Sequence, residues 1–302
     1  MTSMRSRSDI APKVAGPSTT SSTRSKVTLR PSRADALLAE ATHLVDAARA
    51  AGVTLRLTGG LAVRHYCSDL AFVEREHSDI DLMGLSSQGK GLQRVFEEQG
   101  YAENTYVSQS TAGSQLQFVK APASAAASRR RLAGAAEPGL AHGDHIDIFR
   151  DVMRMDHDID VRRRLEIDPY AVSPADILAI KLQIGEPAEK DIHDVVALLK
   201  DLPLSDRDDA SSIHVMRLAR LCARDWGLHY DVTRSLDTIL ALLPDFGLDD
   251  RVRDTVIERI GVIQTAIDGA QKSIRWRLRA RAGIRLPWRR EIEEREGPEA
   301  AA

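Results

Sequence analysis

Two cysteines, Cys67 and Cys222, are all that the 302 residues carry. Two cannot build a disulfide framework, and no CxxC pair suggests zinc, so the usage fits a reducing cytoplasm. No apolar run approaches the roughly 18 residues needed to span a membrane. The N-terminus lacks the apolar core of a secretory signal. Net charge is also missing: at −2 the chain gives no global sign of a polyanion partner. No internal repeat of solenoid period is present.

What is there is unevenly spread. Residues 1–32 hold six basic side chains (Arg5, Arg7, Lys13, Arg24, Lys26 and Arg30) against one acid, Asp9. Rich in Ser, Thr and Arg, this segment reads as a disordered leader, with a transit peptide as the alternative. Residues 271–290 hold eight basic side chains and no acid. Hydrophobic content is 43%, enough for a sizeable core, and the length suits about two domains.

Periodicity divides the chain. Residues 34–51 are amphipathic and helical, with Gly52 where a C-cap glycine belongs. A short strand is predicted over 53–57, then a glycine turn, then a helix over 61–70. Further strands are predicted at 79–84, 101–107, 114–120 and 144–149, with a helix over 90–100. The Ala/Gly/Pro-rich stretch 121–143 reads as a loop or insertion. From Ser173 a helix begins with strong start signals: Ser173 as N-cap, Pro174 first and Asp176 third. Helical patterns follow over 189–200, 211–225, 232–243 and 249–282. The expectation is an α/β fold, a small mixed sheet over 33–170 with a helical domain over 171–290, and a flexible tail over 291–302.

Three carboxylates carry the chemistry. On a strand, residues i and i+2 share a face, so Asp79 and Asp81 project together while Ile80 and Leu82 face the core. Such carboxylates, about 7 Å apart along the strand, repel unless a cation sits between them. Magnesium takes one or two carboxylates plus substrate phosphates. Upstream, a strand runs into Gly59-Gly60 and a helix, which places bare backbone N–H groups where phosphate is bound. Taken singly, the acids also read as a solvated strand face and the glycines as an ordinary tight turn. A third acid, Asp147, lies between Ile146 and Ile148 in "HIDIF", and a neighbouring strand would bring it beside the first pair. Three inward acids on adjacent strands suit a two-metal site. A competing "DID", Asp158 and Asp160, has no glycine turn before it.

The glycine turn, the hydrophobic-flanked D-x-D and the later acid together resemble the nucleotidyltransferase superfamily with the DNA polymerase β-like fold. The resemblance implies transfer of NMP from an NTP such as ATP, GTP or CTP, with two Mg2+ (or Mn2+) ions. It implies that Gly59 and Gly60 hold phosphates, that Asp79 and Asp81 bind both metals, and that Asp147 binds the catalytic metal and assists deprotonation. "GGLAVRHY", "REHSDIDL" and "ADILAIKLQIGEPAEKDIHDVVALL" also resemble the bacterial AbiEii-type toxins, in which a helical lysine precedes a K/R-D-x-x-D helix. Lys181, Lys190, Asp191 and Asp194 match that pattern. Lys181 and Asp191 thereby join the expected nucleotide-binding residues, with two amphipathic helices bearing surface ion pairs as the alternative.

Arg64, one turn into the helix after the glycines, is a further phosphate candidate or an exposed arginine. Arg75 precedes "SDID" as a loop-orienting residue. His65, His77 and His145 have no metal spacing and read as surface or satisfied interior residues. The basic C-terminus, with Trp276 and Trp288, reads three ways: a solvated face whose stripe (Ile274, Leu278) packs on the domain, an RNA-binding helix, or a helix on an anionic membrane surface. The leading expectation is a cytoplasmic, metal-dependent nucleotidyltransferase that releases pyrophosphate and whose acceptor, a hydroxyl or phosphate on RNA, tRNA or a small molecule, is open. The alternatives are a toxin that modifies tRNA and a catalytically silent nucleotide- or partner-binding protein.

Overall fold

The computed structural model describes residues 32–68, 70, 79–120 and 145–290. Residues 1–31 of the leader, Arg75, His77, the 121–143 stretch and the 291–302 tail lie outside the described residues.

Helix α1 (Arg33–Ala50) begins at Ser32, whose hydroxyl accepts from the Asp35 N–H at 3.1 Å while the Asp35 carboxylate accepts from the Ser32 N–H at 3.2 Å. This capping box satisfies two donors that the first turn would otherwise leave bare. Strand β1 (Leu55–Leu57) is buried throughout. Then come α2 (Gly59–Tyr66), β2 (Ile80–Gly84), α3 (Gly89–Glu98), β3 (Tyr101–Glu103), α4 (Thr105–Ser110), β4 (Gln115–Lys120) and β5 (His145–Arg150).

These strands form one mixed sheet in the order β1-β2-β5-β4-β3. The β2–β5 pair is parallel, and β1–β2, β5–β4 and β4–β3 are antiparallel. Strand alternation gives the sheet two unlike faces. Ile80, Leu82, Leu116, Phe118, Ile146 and Ile148 are buried in the core, where Phe118 stacks on Phe96 of α3 at 4.4 Å. The alternate positions on the three central strands carry Asp81, Gln115, Gln117, His145 and Asp147.

A hairpin, β6 (Val152–Arg154) with β7 (Asp158–Asp160), leads to the helices: α5 (Pro174–Leu182), α6 (Glu189–Asp201), α7 (Val215–Arg224), α8 (Trp226–Leu242), α9 (Asp250–Gly269) and α10 (Ile274–Ala282). A two-residue parallel pair, β8 (Leu204–Ser205) and β9 (Ile213–His214), sits before α7. Ser173 caps α5 as expected, accepting from the Asp176 N–H. All nine residues of α5 are buried, the mark of a helix packed on every side. One apolar core runs from Ala41 in α1 through the sheet and α5 to Ile267 in α9. The architecture is mixed α/β, a small mixed sheet with a helical C-terminal region.

Several boundaries differ from the predicted ones, among them the start of the helix predicted over 232–243, which begins at Trp226. The helix predicted to reach residue 70 stops at Tyr66, where Cys67 turns extended and the Ser68 N–H is taken by the Asp201 carboxylate at 2.8 Å. Asp79 precedes β2 rather than opening it. The strand predicted over 101–107 ends at Glu103, and residues 105–110 are helical. The helix predicted over 249–282 breaks after Gly269, and Ser273 caps a new one by accepting from the Trp276 N–H. Among the described residues no helix is long and apolar enough to cross a membrane.

Candidate active site

The parallel pairing of β2 with β5 sets Asp81 directly opposite Asp147, flanked by the pairs Ile80–Ile146 and Leu82–Ile148. On the other side of Asp147 its partner is Gln117 of β4. One row across three strands therefore carries Asp81, Asp147 and Gln117 on the same face.

The glycine turn closes over this row. Thr58 is extended and its N–H donates to the Asp81 carbonyl at 2.9 Å, which fastens the turn to β2. Gly59 takes a left-handed backbone, φ +62, and a Cβ placed there would lie 2.3 Å from Asp81 Oδ2. Conformation and contact both demand glycine. The two glycines open α2 and line the same cavity as Asp79 and Asp81, so the first N–H groups of that helix, which lack intrahelical partners, belong to this corner of the site. The Thr58 hydroxyl beside them is buried and makes no hydrogen bond.

Each charge has its own environment. Burial, with Asp79 and Asp147 close by, pushes the Asp81 carboxyl up to about 6. Burial pushes Asp147 the same way, yet hydrogen bonds from His145, Gln115 and Gln117 outweigh it and hold that carboxyl below the ordinary range. Gln115 and Gln117 each donate to Asp147 Oδ1 at 3.0 Å, and His145 Nε2 lies 3.3 Å from Oδ2. His145 also lies 3.9 Å from Asp79, and its hydrogen bond to Asp147 raises its own affinity for a proton.

A cavity of about 390 Å³ opens against this row, within the range that holds small ligands. Gly59, Gly60, Asp79 and Asp81 line it together with Lys181 and Asp191, and Phe149, Met155 and Ile180 add apolar surface. Lys181 is buried with its ammonium 2.8 Å from both Asp191 and Asp194. Burial opposes its charge, but Asp194 and Asp191 prevail and the lysine is held protonated. Those carboxylates engage two of its three donors. In this structure Lys181 is thus first an anchor between α5 and α6.

The structure brings together Gly59, Gly60, Asp79, Asp81, Lys181 and Asp191, with Asp147 adjoining them. It does not bring Arg64: that guanidinium pairs with Asp35 of α1 at 2.8 Å and lines no part of the cavity. The competing Asp158 and Asp160 are half exposed and pair with Arg290 and Arg162. His145, expected as a surface or satisfied residue, is satisfied by Asp147 and so joins the carboxylates. The alternation that placed Asp147 on this face also places His145, two residues earlier. Gln115 and Gln117 show the same alternation, but only strand pairing puts them on Asp147.

The donor set suits a divalent cation. Among the described residues no three His, Cys, Asp or Glu side chains converge on one point. Asp81 is instead the shared neighbour: it pairs in register with Asp147, and the charges of Asp79 and Asp147 both act on it. Acidic Asp79, Asp81, Glu186 and Asp191 line the cavity against Lys181 and Lys190. The lining carboxylates outnumber the two lysines, an excess of negative charge that a divalent cation would offset.

No protein-family model matches this chain, and no curated protein matches it. Among solved structures, it is similar to the antibiotic-resistance factor ANT(2'')-Ia at 13% identity, over 69% of this chain and 96% of that one, with a TM-score of 0.33. It is also similar to terminal uridylyl transferase 4 from Trypanosoma brucei, solved with bound GTP, at 15% identity over 68% of this chain and 64% of that one, with a TM-score of 0.25.

Proposed function

We propose that this protein is a nucleotidyltransferase that moves NMP from an NTP to an acceptor hydroxyl, with Mg2+ as cofactor. The observation that carries the reading is the in-register Asp81–Asp147 pair beneath a glycine turn whose Gly59 rests on Asp81.

The N–H groups at the start of α2 bind the outer phosphates, aided by the helix dipole. Phe149, Met155 and Ile180 offer the base an apolar wall. Asp79, Asp81 and Asp147 would hold the ions, which supply charge neutralisation at the triphosphate and a lowered pKa at the attacking hydroxyl. Asp147, kept ionised by Gln115, Gln117 and His145, accepts the hydroxyl proton. The acceptor oxygen then bonds to the α-phosphorus as the bond to the β-phosphate oxygen breaks, and pyrophosphate leaves with that electron pair. Gln115 and Gln117 fix Asp147 in place, so it needs little reorganisation during the step.

The test is titration calorimetry with each NTP, with and without MgCl2, on the wild type and Asp79→Asn, followed by transfer assays with α-labelled nucleotide. Magnesium-dependent binding of an NTP, lost in the variant, is expected. Full transfer activity in Asp79→Asn would overturn the mechanism. Binding without transfer to any acceptor would make the protein a silent nucleotide binder.

A further inference from the structure

A second cleft, of about 1240 Å³, lies between the C-terminal arm (residues 270–290), helices α7 and α8, and the tip of the β6–β7 hairpin. It is larger than the cavity at the carboxylates and has the opposite character. Trp226, Trp276 and Trp288 stand in its walls with Arg220, Arg224 and Arg275. Among the described residues these three arginines are exposed and make no ion pair. The carboxylates that share the cleft are already matched: Asp156 and Asp158 by Arg289 and Arg290, and Asp225 by His157. The cleft is therefore net positive in a chain of net charge −2.

The arm that forms it is built in, not draped. Asp231, fully buried, accepts from the Trp288 indole at 3.0 Å, from Arg289 at 2.7 Å and from His157 at 2.8 Å. Two glycines admit the arm: a Cβ on Gly185 would strike the Arg289 guanidinium at 2.0 Å, and one on Gly227 would strike the Trp288 carbonyl at 2.7 Å. A basic side chain lies over each of the three rings, Arg279 over Trp226 at 4.6 Å, Lys272 over Trp276 at 5.8 Å and Arg289 over Trp288 at 5.2 Å, so the aromatic walls are held in place by cations.

From this arrangement we infer that the cleft binds a single-stranded nucleic acid. Exposed arginines suit its phosphates, and the aromatic lining beside them suits its bases. The two cavities share a wall: Met153 and Met155 face the carboxylate cavity, while Asp156, His157 and Asp158 of the same hairpin face the cleft. If the proposed transferase activity holds, a strand lying in the cleft has only this hairpin to cross to offer a terminal hydroxyl, and it is the acceptor. A bilayer surface suits the concave cleft less well, although Ile274 and Leu278 of the arm are exposed.

The test is fluorescence anisotropy with full-length protein and labelled 12-mers of oligo(U) and oligo(dT), a 12-bp RNA duplex, and phosphatidylserine-containing vesicles as competitor, over a salt series. Wild type should bind the single strands more tightly than the duplex. The triple variant R220E/R224E/R275E, folded by circular dichroism, should weaken binding at least tenfold and flatten the salt slope by about 2. The triple Arg→Lys variant should keep most of the slope. Asp79→Asn should lose magnesium-dependent NTP binding and keep strand binding, which separates failure of this inference from failure of the transferase reading. An unaffected charge-reversal variant, a preference for duplex, or binding to vesicles without binding to strands would overturn it.

Discussion

Gly59→Ala isolates the contact on which the site is built. The substitution imposes two costs. A left-handed backbone costs a non-glycine residue about 1–2 kcal/mol, and Gly59 has φ +62. The new Cβ would also lie 2.3 Å from Asp81 Oδ2 and 3.1 Å from its Cβ and Cγ, so the carboxylate must leave its rotamer, for about 0.5–1.5 kcal/mol more. Gly52→Ala is the control, because Gly52 has φ +71 but nothing within 4 Å of a built Cβ. Urea unfolding should show Gly52→Ala destabilised by about 1–2 kcal/mol and Gly59→Ala by about 1.5–3.5 kcal/mol. In the double variant Gly59→Ala/Asp81→Ala part of the excess should vanish, a coupling that a mutant cycle reads directly. Function should fall further than stability, since a carboxylate displaced by about 1 Å costs on the order of a hundredfold in rate. Equal destabilisation of the two single variants, with NTP affinity intact in Gly59→Ala, would refute the reasoning.

Lys181→Met should destabilise by about 3–5 kcal/mol in urea, because it strands Asp191 and Asp194 as buried, uncompensated charges; a loss below about 1 kcal/mol would show the pair to be solvated. Burial pushes the His157 imidazolium down, but Asp225 and Asp231 outweigh it and raise its pKa to about 9. A folded-state pKa above the unfolded value of about 6.5 gives stability that is complete below that pH and is lost as pH rises through about 9. The urea midpoint of wild type should therefore fall over that interval, and His157→Gln should flatten the fall. MgCl2 should raise the melting temperature above that in NaCl of equal ionic strength, because a cation relieves the Asp79–Asp81–Asp147 crowding; Asp81→Asn should lose most of the rise, and an unchanged rise would place the ion elsewhere.

The parts of the site legible in the sequence are those set by local geometry. Strand alternation alone put Asp147 between two core isoleucines, and the same rule applied to His145 would have found the histidine. The capped start of α5 was equally plain, because Ser173, Pro174 and Asp176 act within one turn. What the sequence withheld is long-range pairing. Strand β5 is the last of the sheet's five in sequence yet sits between β2 and β4, so nothing local announces that Asp81 faces Asp147 or that two glutamines fix it. Lys181 shows the same limit. Its place on α5 was readable, but its nearest charges come from α6, and the packing of those helices decides that its ammonium meets carboxylates. At the C-terminus the i, i+4 pair Ile274 and Leu278 suggested a buried stripe. Both are exposed, at 75% and 57%. The arm is instead held by Trp276, whose indole donates to the Cys222 carbonyl at 2.9 Å, and by Trp288 and Arg289 on Asp231. An apolar spacing ranks a helix's faces only against a known partner. Here the partner is a buried aspartate 57 residues upstream of Trp288, so polar satisfaction rather than apolar area sets which face turns inward. The same choice leaves Arg275 of the arm exposed at the open cleft, beside Arg220 and Arg224 of α7.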